Sequence, residues 1–191
     1  MTPILGIMAS QISGHLSNTA YESIATVTVG GGGAASVTFS SIAADWTHLQ
    51  LRIISRDNRA AWQSSVNLQF NSDSSAVYAQ HFLIGNGASA SAGNDINQTQ
   101  MVIARTYGAS ATASCFGASV TDILDYANTN KFKTLRTLSA AEANSNSADG
   151  IIWYNSGLWR STAAVTRIDL TPNGTLWSEY STFALYGIKG A

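Results

Sequence analysis

Apolar and polar residues alternate along several segments of this chain, and this period of two constrains the fold more than any other feature of the sequence. Leu49, Leu51 and Ile53 are separated by polar residues, and residues 66–70 and 167–170 show the same alternation. Successive side chains of a β-strand point to opposite faces, so this pattern is typical of a strand with one buried face. Helical periodicity is scarce. The chain is therefore predicted to be all-β, with antiparallel strands.

Seven further segments are rich in β-forming residues, which brings the expected number of strands to roughly ten or eleven. Many short strands at regular spacing are typical of a sandwich or barrel, and an eight-stranded jelly-roll core with added edge strands fits this number. With 191 residues the chain can build one sizeable core but is short for two. Residues 21–191 are thus predicted to form a single antiparallel, jelly-roll-like β-sandwich. The seven segments are 21–29, 34–40, 77–84, 99–106, 113–124, 132–140 and 150–159.

Three segments of small residues interrupt the strand pattern. Residues 30–33 are four consecutive glycines, which lack the Lys-Ser/Thr pair of a phosphate-binding loop and predict a flexible hairpin turn. Residues 85–95 and 144–150 are rich in Gly, Ser, Asn and Ala and are predicted to be loops. Loops at the ends of a sandwich often carry binding functions, but each of these is first expected to connect strands.

The first twenty residues form a distinct segment, because several apolar residues occur there before the first convincing strand. We expect residues 1–20 to form an extended docking arm. Its apolar side chains must be buried, either beneath the sandwich of the same chain or on a neighbouring subunit. The residues expected to make the assembly contacts are Pro3, Ile4, Leu5, Ile7, Met8, Ile12 and Leu16.

Charged residues make up only 11% of the chain, against about 25% in ordinary globular proteins. Because 45% of the residues are hydrophobic and the net charge is -1, the chain is expected to fold rather than to be disordered. The ten basic residues are spread along the sequence and form no cluster of the kind that binds phosphate backbones. Nucleic acid is therefore not expected as a partner.

No segment reaches the 18 apolar residues of a membrane span. The apolar run from Ile4 to Met8 is too short for a secretion signal, and the first basic residue is Arg52, so synthesis without a secretion signal is expected. Cys115 is the only cysteine, which excludes an intrachain disulfide and a multi-cysteine metal site. Its small apolar neighbours favour a buried, inert thiol.

The sequence contains no recognisable catalytic motif, so we expect a protein that is not an enzyme and has no cofactor and no metal. His15, His48 and His81 lack the short spacings of zinc sites, and Gly-x-Ser-x-Gly is absent. Residues 71–75 and 94–95 offer oxygen ligands of the kind that calcium takes. Asx turns account for both segments equally well and are the preferred interpretation.

Two tryptophans are candidates for contact with a glycan or a partner. Trp62 and Trp177 lie in predicted loops, where an aromatic face can stack on a sugar or pack against a neighbouring subunit. Packing against a subunit is the preferred alternative for both. Trp46 and Trp159 adjoin strong strands and are assigned to the core or to an interface.

Three short motifs resemble segments of the small β-domains in structural proteins of tailed bacteriophages. The strand from Val165 to Leu170 has the form Val-Thr-x-Ile-x-Leu, and the segment from Phe183 to Lys189 reads Phe-x-Leu-Tyr-Gly-Ile-Lys. These look like the closing strands of such domains, and we expect Phe183, Leu185 and Ile188 to be buried in the last of them. The stretch from Pro3 to Gly14 is similar to the short apolar lead of related phage proteins.

This resemblance implies a structural protein of the virion, assembled in the host cytoplasm. It implies a tail-associated module of a fibre, spike or adaptor, which forms a homo-oligomer, with a trimer expected, and docks on other virion proteins through its N-terminal arm. Two alternatives share the fold: a capsid decoration or cement protein, and a lectin-like module for host attachment that binds surface saccharides near Trp62 or Trp177.

Overall fold

The computed structural model describes residues 20–143 and 150–190, and these residues contain twelve β-strands and no helix. None of the described segments is therefore a helix able to cross a membrane. The all-β prediction is confirmed. The strands are β1 (Tyr21–Thr28), β2 (Val37–Phe39), β3 (His48–Ser55), β4 (Gln63–Phe70), β5 (Tyr78–Gly85), β6 (Ala90–Gln98), β7 (Met101–Tyr107), β8 (Gly117–Leu124), β9 (Lys133–Ala141), β10 (Ile151–Trp159), β11 (Ile168–Pro172) and β12 (Thr182–Ile188).

The strands form two antiparallel sheets, as expected for a β-sandwich. The large sheet has eight strands in the order β1-β12-β3-β8-β9-β10-β5-β6, and the small sheet has four in the order β2-β11-β4-β7. Two excursions of the chain widen the large sheet: the hairpin β5-β6 and the strands β9 and β10, which follow β8 directly. The large sheet therefore extends on one side beyond the small sheet's edge strand β7.

The core lies between the two sheets and is built by the alternating strands. Leu49 and Leu51 on β3 have no exposed surface, whereas Arg52 between Leu51 and Ile53 points outward and is exposed. Burial of one such side chain stabilises the fold by about 1.5–3 kcal/mol. The fully buried side chains that fill the core include Leu49, Leu51, Val66, Leu68, Phe70, Ile103, Ile123, Ile168, Leu170, Trp177, Phe183 and Leu185.

Strand β6 corrects the prediction of a loop over residues 85–95. It pairs with β5 from Tyr78↔Gln98 to Gly85↔Ala90. The strand lies at the edge of the sheet with most of its side chains exposed, so it needs few apolar residues and is stabilised by its backbone pairing. Gly93 has a specific place in it, because a Cβ there would lie 2.6 Å from the ring of Phe82.

The glycine run also differs from its prediction. Residues 30–33 connect β1 of the large sheet to β2 of the small sheet, so they form a crossing between the sheets and not a hairpin turn. The Gly33 amide donates to the Gly30 carbonyl at 3.2 Å, and Gly32 and Gly33 have φ values of 97° and 78°. These backbone conformations favour glycine. Of the other predicted loop, residues 144–149 lie outside the described residues.

Candidate interaction surface

The outward-facing side of the large sheet carries apolar side chains where polar ones are expected. In an antiparallel sheet that packs on one face, the other face is usually polar. Here six large apolar side chains on five adjacent strands are between 40% and 60% exposed. We call this surface the outer apolar face, and it comprises Ile54, Leu83, Val120, Leu138, Ile152 and Tyr154.

Strand register aligns these side chains in two neighbouring rows that run across the strands. In the first row, Ile54 on β3 pairs with Ala118, which pairs with Ala140 on β9. Ala140 in turn pairs with Ile152, and Ile152 pairs with Gly85 on β5. Because neighbouring strands lie about 4.8 Å apart, this row spans about 20 Å.

The second row lies two residues further along each strand. Arg52 pairs with Val120, Val120 with Leu138, Leu138 with Tyr154, and Tyr154 with Leu83. Two adjacent rows place the apolar side chains in one continuous band. Contiguous exposed apolar surface of this kind marks sites of interaction in soluble proteins.

The outer apolar face is not flat but contains two depressions. A first depression lies where small residues stand between larger ones, with Ala118, Ala140 and Ala184 among its lining residues. A second depression, over β5 and β6, is lined by Ala92, Gly93, Leu83 and Tyr154, together with His81, Phe82 and Ser156. Leu138 lines the first depression and Tyr154 the second, and these two residues lie opposite each other. They form a ridge between the two depressions.

A polar network borders the outer apolar face on one side. The Gln50 side chain donates from Nε2 to Asp122 Oδ1 at 2.8 Å, and its Oε1 accepts from Tyr21 at 2.8 Å and from Arg52 Nε at 3.1 Å. Arg136 lies 3.7 Å from the second carboxylate oxygen of Asp122. An apolar centre with a hydrogen-bonded polar border is the usual arrangement of protein interfaces.

Aromatic stacking extends this border toward β1. The rings of Tyr21 and Tyr186 stack with centroids 4.8 Å apart, and the Arg52 guanidinium lies 5.4 and 5.5 Å from the two centroids. Burial raises the pKa of the Tyr21 hydroxyl, and the nearby Arg52 charge lowers it by less. The hydroxyl thus remains a neutral donor to Gln50 at ordinary pH.

The two predicted tryptophan contacts have different outcomes. Trp62 lies in the loop before β4 and is 39% exposed, so it stays available to a ligand or partner. Trp177 is fully buried: its ring packs on Phe183 with centroids 5.0 Å apart, and its Nε1 donates to the Leu170 carbonyl at 3.4 Å. A ring without exposed surface cannot stack on a sugar, which removes Trp177 from the candidate contacts.

The predicted assembly arm lies almost entirely outside the described residues, which begin at Ala20. At that point the Ala20 carbonyl accepts a hydrogen bond from the Lys189 amide at 3.0 Å. Ala20, the last residue of the predicted arm, therefore lies beside the end of strand β12. The arm residues that the structure does not describe are Pro3, Ile4, Leu5, Ile7, Met8, Ile12 and Leu16.

Asp73 and Asp95, the carboxylates in the two segments considered for calcium, accept hydrogen bonds from other groups of the fold. Asp73 Oδ1 accepts from the Ser75 amide at 3.0 Å, which is an Asx turn, and Oδ2 accepts from Trp159 Nε1 at 2.9 Å. Hydrogen bonding to the Ser75 hydroxyl is the main cause of the lowered pKa of Asp73. Asp95 lies within β6 and accepts from Gln80 at 2.7 Å. Within residues 20–143 and 150–190, no three His, Cys, Asp or Glu side chains cluster as metal ligands would.

Sequence reasoning did not identify the outer apolar face, although a signal was present. Residues 151–154 read Ile-Ile-Trp-Tyr, so large apolar side chains occupy both phases of β10. Ile53 and Ile54 do the same on β3. A strand with apolar residues on both of its sides must either bury both faces or leave apolar side chains exposed on one of them. Comparison of neighbouring strands would have shown that these exposed side chains lie side by side on one face of the sheet.

Comparisons with known proteins identify no family for this chain. No protein-family model matches the chain, and no curated protein is significantly similar to it. The function must therefore be inferred from the surface itself.

Proposed function

We propose that this chain is a structural component of a tailed-phage virion, a tail-associated module of a fibre, spike or adaptor that self-associates and docks through its N-terminal arm. The observation that carries this proposal is the outer apolar face, with six large apolar side chains exposed on one side of the sheet. Because each is about half exposed, covering it would gain roughly half of the 1.5–3 kcal/mol that full burial of a large apolar side chain contributes. A module with such a face is suited to assembly with other protein surfaces.

The pairing of the strands supports a jelly roll as the finer description of this module. Setting aside the two excursions of the chain, the remaining eight strands pair as nested partners: β1 with β12, β2 with β11, β3 with β8 and β4 with β7. This is the pattern of one long antiparallel hairpin wrapped into two sheets. Jelly rolls occur in viral structural proteins and in lectins, in keeping with the proposal and its alternatives.

The sparse charge of the chain also favours assembly by contact over long-range attraction. With 11% charged residues and a net charge of -1, the surface provides little electrostatic steering. Partners must be held by shape, hydrogen bonds and apolar burial. Such contacts are not screened by salt, as suits a stable particle.

Locating the protein in assembled particles tests the proposal. Particles would be produced with the full chain or with a chain lacking residues 2–16, purified, and examined by mass spectrometry and by gold-labelled antibody in the electron microscope. We expect the full chain on the tail and the shortened chain to be missing. A full chain absent from purified particles would contradict the proposal, and label on the head would favour a capsid decoration protein.

The lectin-like alternative is supported by the exposed ring of Trp62 alone. A glycan array probed with the full chain tests it, with Trp62→Ala as the variant. Binding that disappears in the variant would establish a saccharide contact at this loop. Equal signals from both chains would remove Trp62 from consideration as a glycan platform.

A further inference from the structure

We propose that the outer apolar face is the surface on which a second copy of this chain packs. The inference rests on the self-association in the proposed function and assigns it to specific residues. It depends on the size, the relief and the charge of the large sheet's outer side.

The size of the surface fits a second copy. Eight strands at the usual spacing, each about eight residues long, make a face of roughly 35 by 25 Å, or about 900 Å². Stable interfaces bury about 800 Å² on each partner. The outer apolar face occupies five of the eight strands, from β3 to β5, and so lies at the centre of this area.

The relief of the surface is suited to contact between like surfaces. The ridge of Leu138 and Tyr154 stands beside the depression lined by Ala118 and Ala140. When two identical surfaces meet, each can insert its ridge into the depression of the other, which satisfies both at once. A flat face or a single deep groove would not offer this reciprocity.

The charge distribution excludes strongly charged occupants. Within the two rows, Arg52 at one end is the only charged side chain, and it is held by Gln50 and by the rings of Tyr21 and Tyr186. The adjacent border carries both signs, in Asp122 and Arg136. An uncharged surface with a mixed border matches another copy of itself better than a polyanion or a charged peptide.

A pair of matched substitutions tests the proposal on the full chain of 191 residues. Leu138→Glu places a carboxylate on the ridge, where a second copy would have to bury it. Tyr180→Glu is the control, since Tyr180 is 70% exposed against 56% for Leu138 but lies in the connection between β11 and β12, outside the paired strands of the large sheet. Cooperative thermal unfolding would first establish that both variants fold.

Light scattering coupled to size-exclusion chromatography would then give the molecular mass at micromolar concentration, in low and high salt. We expect the unmodified chain and Tyr180→Glu to be oligomers in both conditions. Leu138→Glu should be a monomer, or should dissociate at least tenfold more readily. A monomeric unmodified chain, or a Leu138→Glu oligomer unchanged from the unmodified protein, would overturn the proposal.

The N-terminal arm is the competing occupant, and a chain lacking residues 2–16 separates it from a second copy. An oligomer that persists in the shortened chain and still depends on Leu138 supports our proposal. If deleting residues 2–16 abolishes the oligomer while Leu138→Glu leaves it unchanged, the proposal is overturned, and the arm is the occupant of the surface. A monomer found on phage tails would overturn this inference alone, whereas an oligomer absent from particles would contradict only the virion proposal.

Discussion

At the scale of single residues, the closing motif of the chain has a steric explanation in Gly187. The Trp46 indole lies directly against this residue, and a Cβ at position 187 would overlap the ring. A side chain there would push Trp46 out of its place beside the core. The glycine between Tyr186 and Ile188 is therefore required by the packing of a distant aromatic residue.

Gly187→Ala should lower the free energy of unfolding by about 1–3 kcal/mol, the usual cost of overpacking. Denaturant unfolding of the two proteins measures the difference. Gly85→Ala is the matched control, since Gly85 also lies in a strand of the large sheet and a Cβ there would meet nothing within 4 Å. Equal losses in both variants would contradict the steric explanation.

Tyr78 combines a buried ring with a hydroxyl that serves the backbone. The hydroxyl accepts from the Phe70 amide at 2.9 Å and donates to the Asp73 carbonyl at 3.0 Å. Tyr78→Phe leaves the buried amide without its acceptor, so we expect the free energy of unfolding at neutral pH to fall by about 1–3 kcal/mol. Tyr180→Phe, at a residue that is 70% exposed, should change it little.

The same residue predicts an alkaline loss of stability. Burial raises the pKa of Tyr78 to about 12, whereas a tyrosine in the unfolded chain has a pKa of about 10. The folded protein therefore holds a proton that the unfolded chain releases. This contribution to stability is complete below pH 10 and is lost as the pH rises toward 12. Unfolding measured across that range should show a shallower decline in Tyr78→Phe than in the unmodified protein.

At the scale of elements, one arginine organises the connection between β7 and β8. The Arg56 guanidinium donates to the carbonyls of Ala109, Ala111, Thr112 and Cys115, at distances from 2.6 to 3.3 Å. A planar guanidinium with five donors can bind several carbonyls at once. A lysine carries its charge at one point and cannot reproduce the geometry.

Arg56→Lys should therefore loosen residues 108–116 while leaving the sheets intact. We expect faster amide hydrogen exchange in that loop and a loss of about 1–3 kcal/mol in the free energy of unfolding. Arg136→Lys, on the exposed side of β9, provides the comparison and should leave the loop unchanged. Unaltered exchange in Arg56→Lys would show that the loop is held by other contacts.

Strand β12 closes the large sheet between β1 and β3, and its inward side chains are fully buried. Leu185→Ala should cost about 2–5 kcal/mol, because it removes buried methyl groups and leaves a cavity. Leu138→Ala at the exposed ridge should cost much less in dilute solution. Chemical unfolding of both variants checks the contrast, and a small effect of Leu185→Ala would contradict the closing role of β12.

Strands were predicted correctly from the sequence where apolar and polar side chains alternate. Leu49, Leu51 and Ile53 show this, and the inward residues Phe183 and Leu185 were correctly expected to be buried. Ile188 was also expected to be buried but is only half-buried, since it lies at an outward phase of β12.

Contacts in the folded chain decided the cases that the residue pattern could not. Strand β6 shows no sustained alternation of apolar and polar residues and is defined only by its pairing with β5. Lys133 is fully buried, with its ammonium donating to the carbonyls of Asn128, Lys131 and Thr162. The sequence around Trp177 predicted an exposed loop. In the structure, Trp177 pairs with Ala34 in an isolated β-bridge, and its side chain is buried in the core. Two of these contacts, from Lys133 to Thr162 and from Trp177 to Ala34, join residues far apart in the chain.

At the scale of the whole molecule, strands β1 to β12 build both layers of the sandwich. Within residues 20–143 and 150–190, the two sheets enclose a core of fully buried side chains such as Leu49, Phe70 and Leu185. The arm is proposed to dock on other virion proteins and not to fill this core. The sandwich and the arm are thus expected to be energetically separable.

Deleting residues 2–16 should therefore leave a folded protein. We expect cooperative thermal unfolding, with a midpoint within a few degrees of the full chain, since about 1 kcal/mol shifts the midpoint by about 2–4 °C in a protein of this size. Leu185→Ala serves as the reference for a genuine core defect and should shift the midpoint further. Loss of the cooperative transition in the shortened chain would mean that the arm belongs to the core, and the docking role proposed for it would then fail.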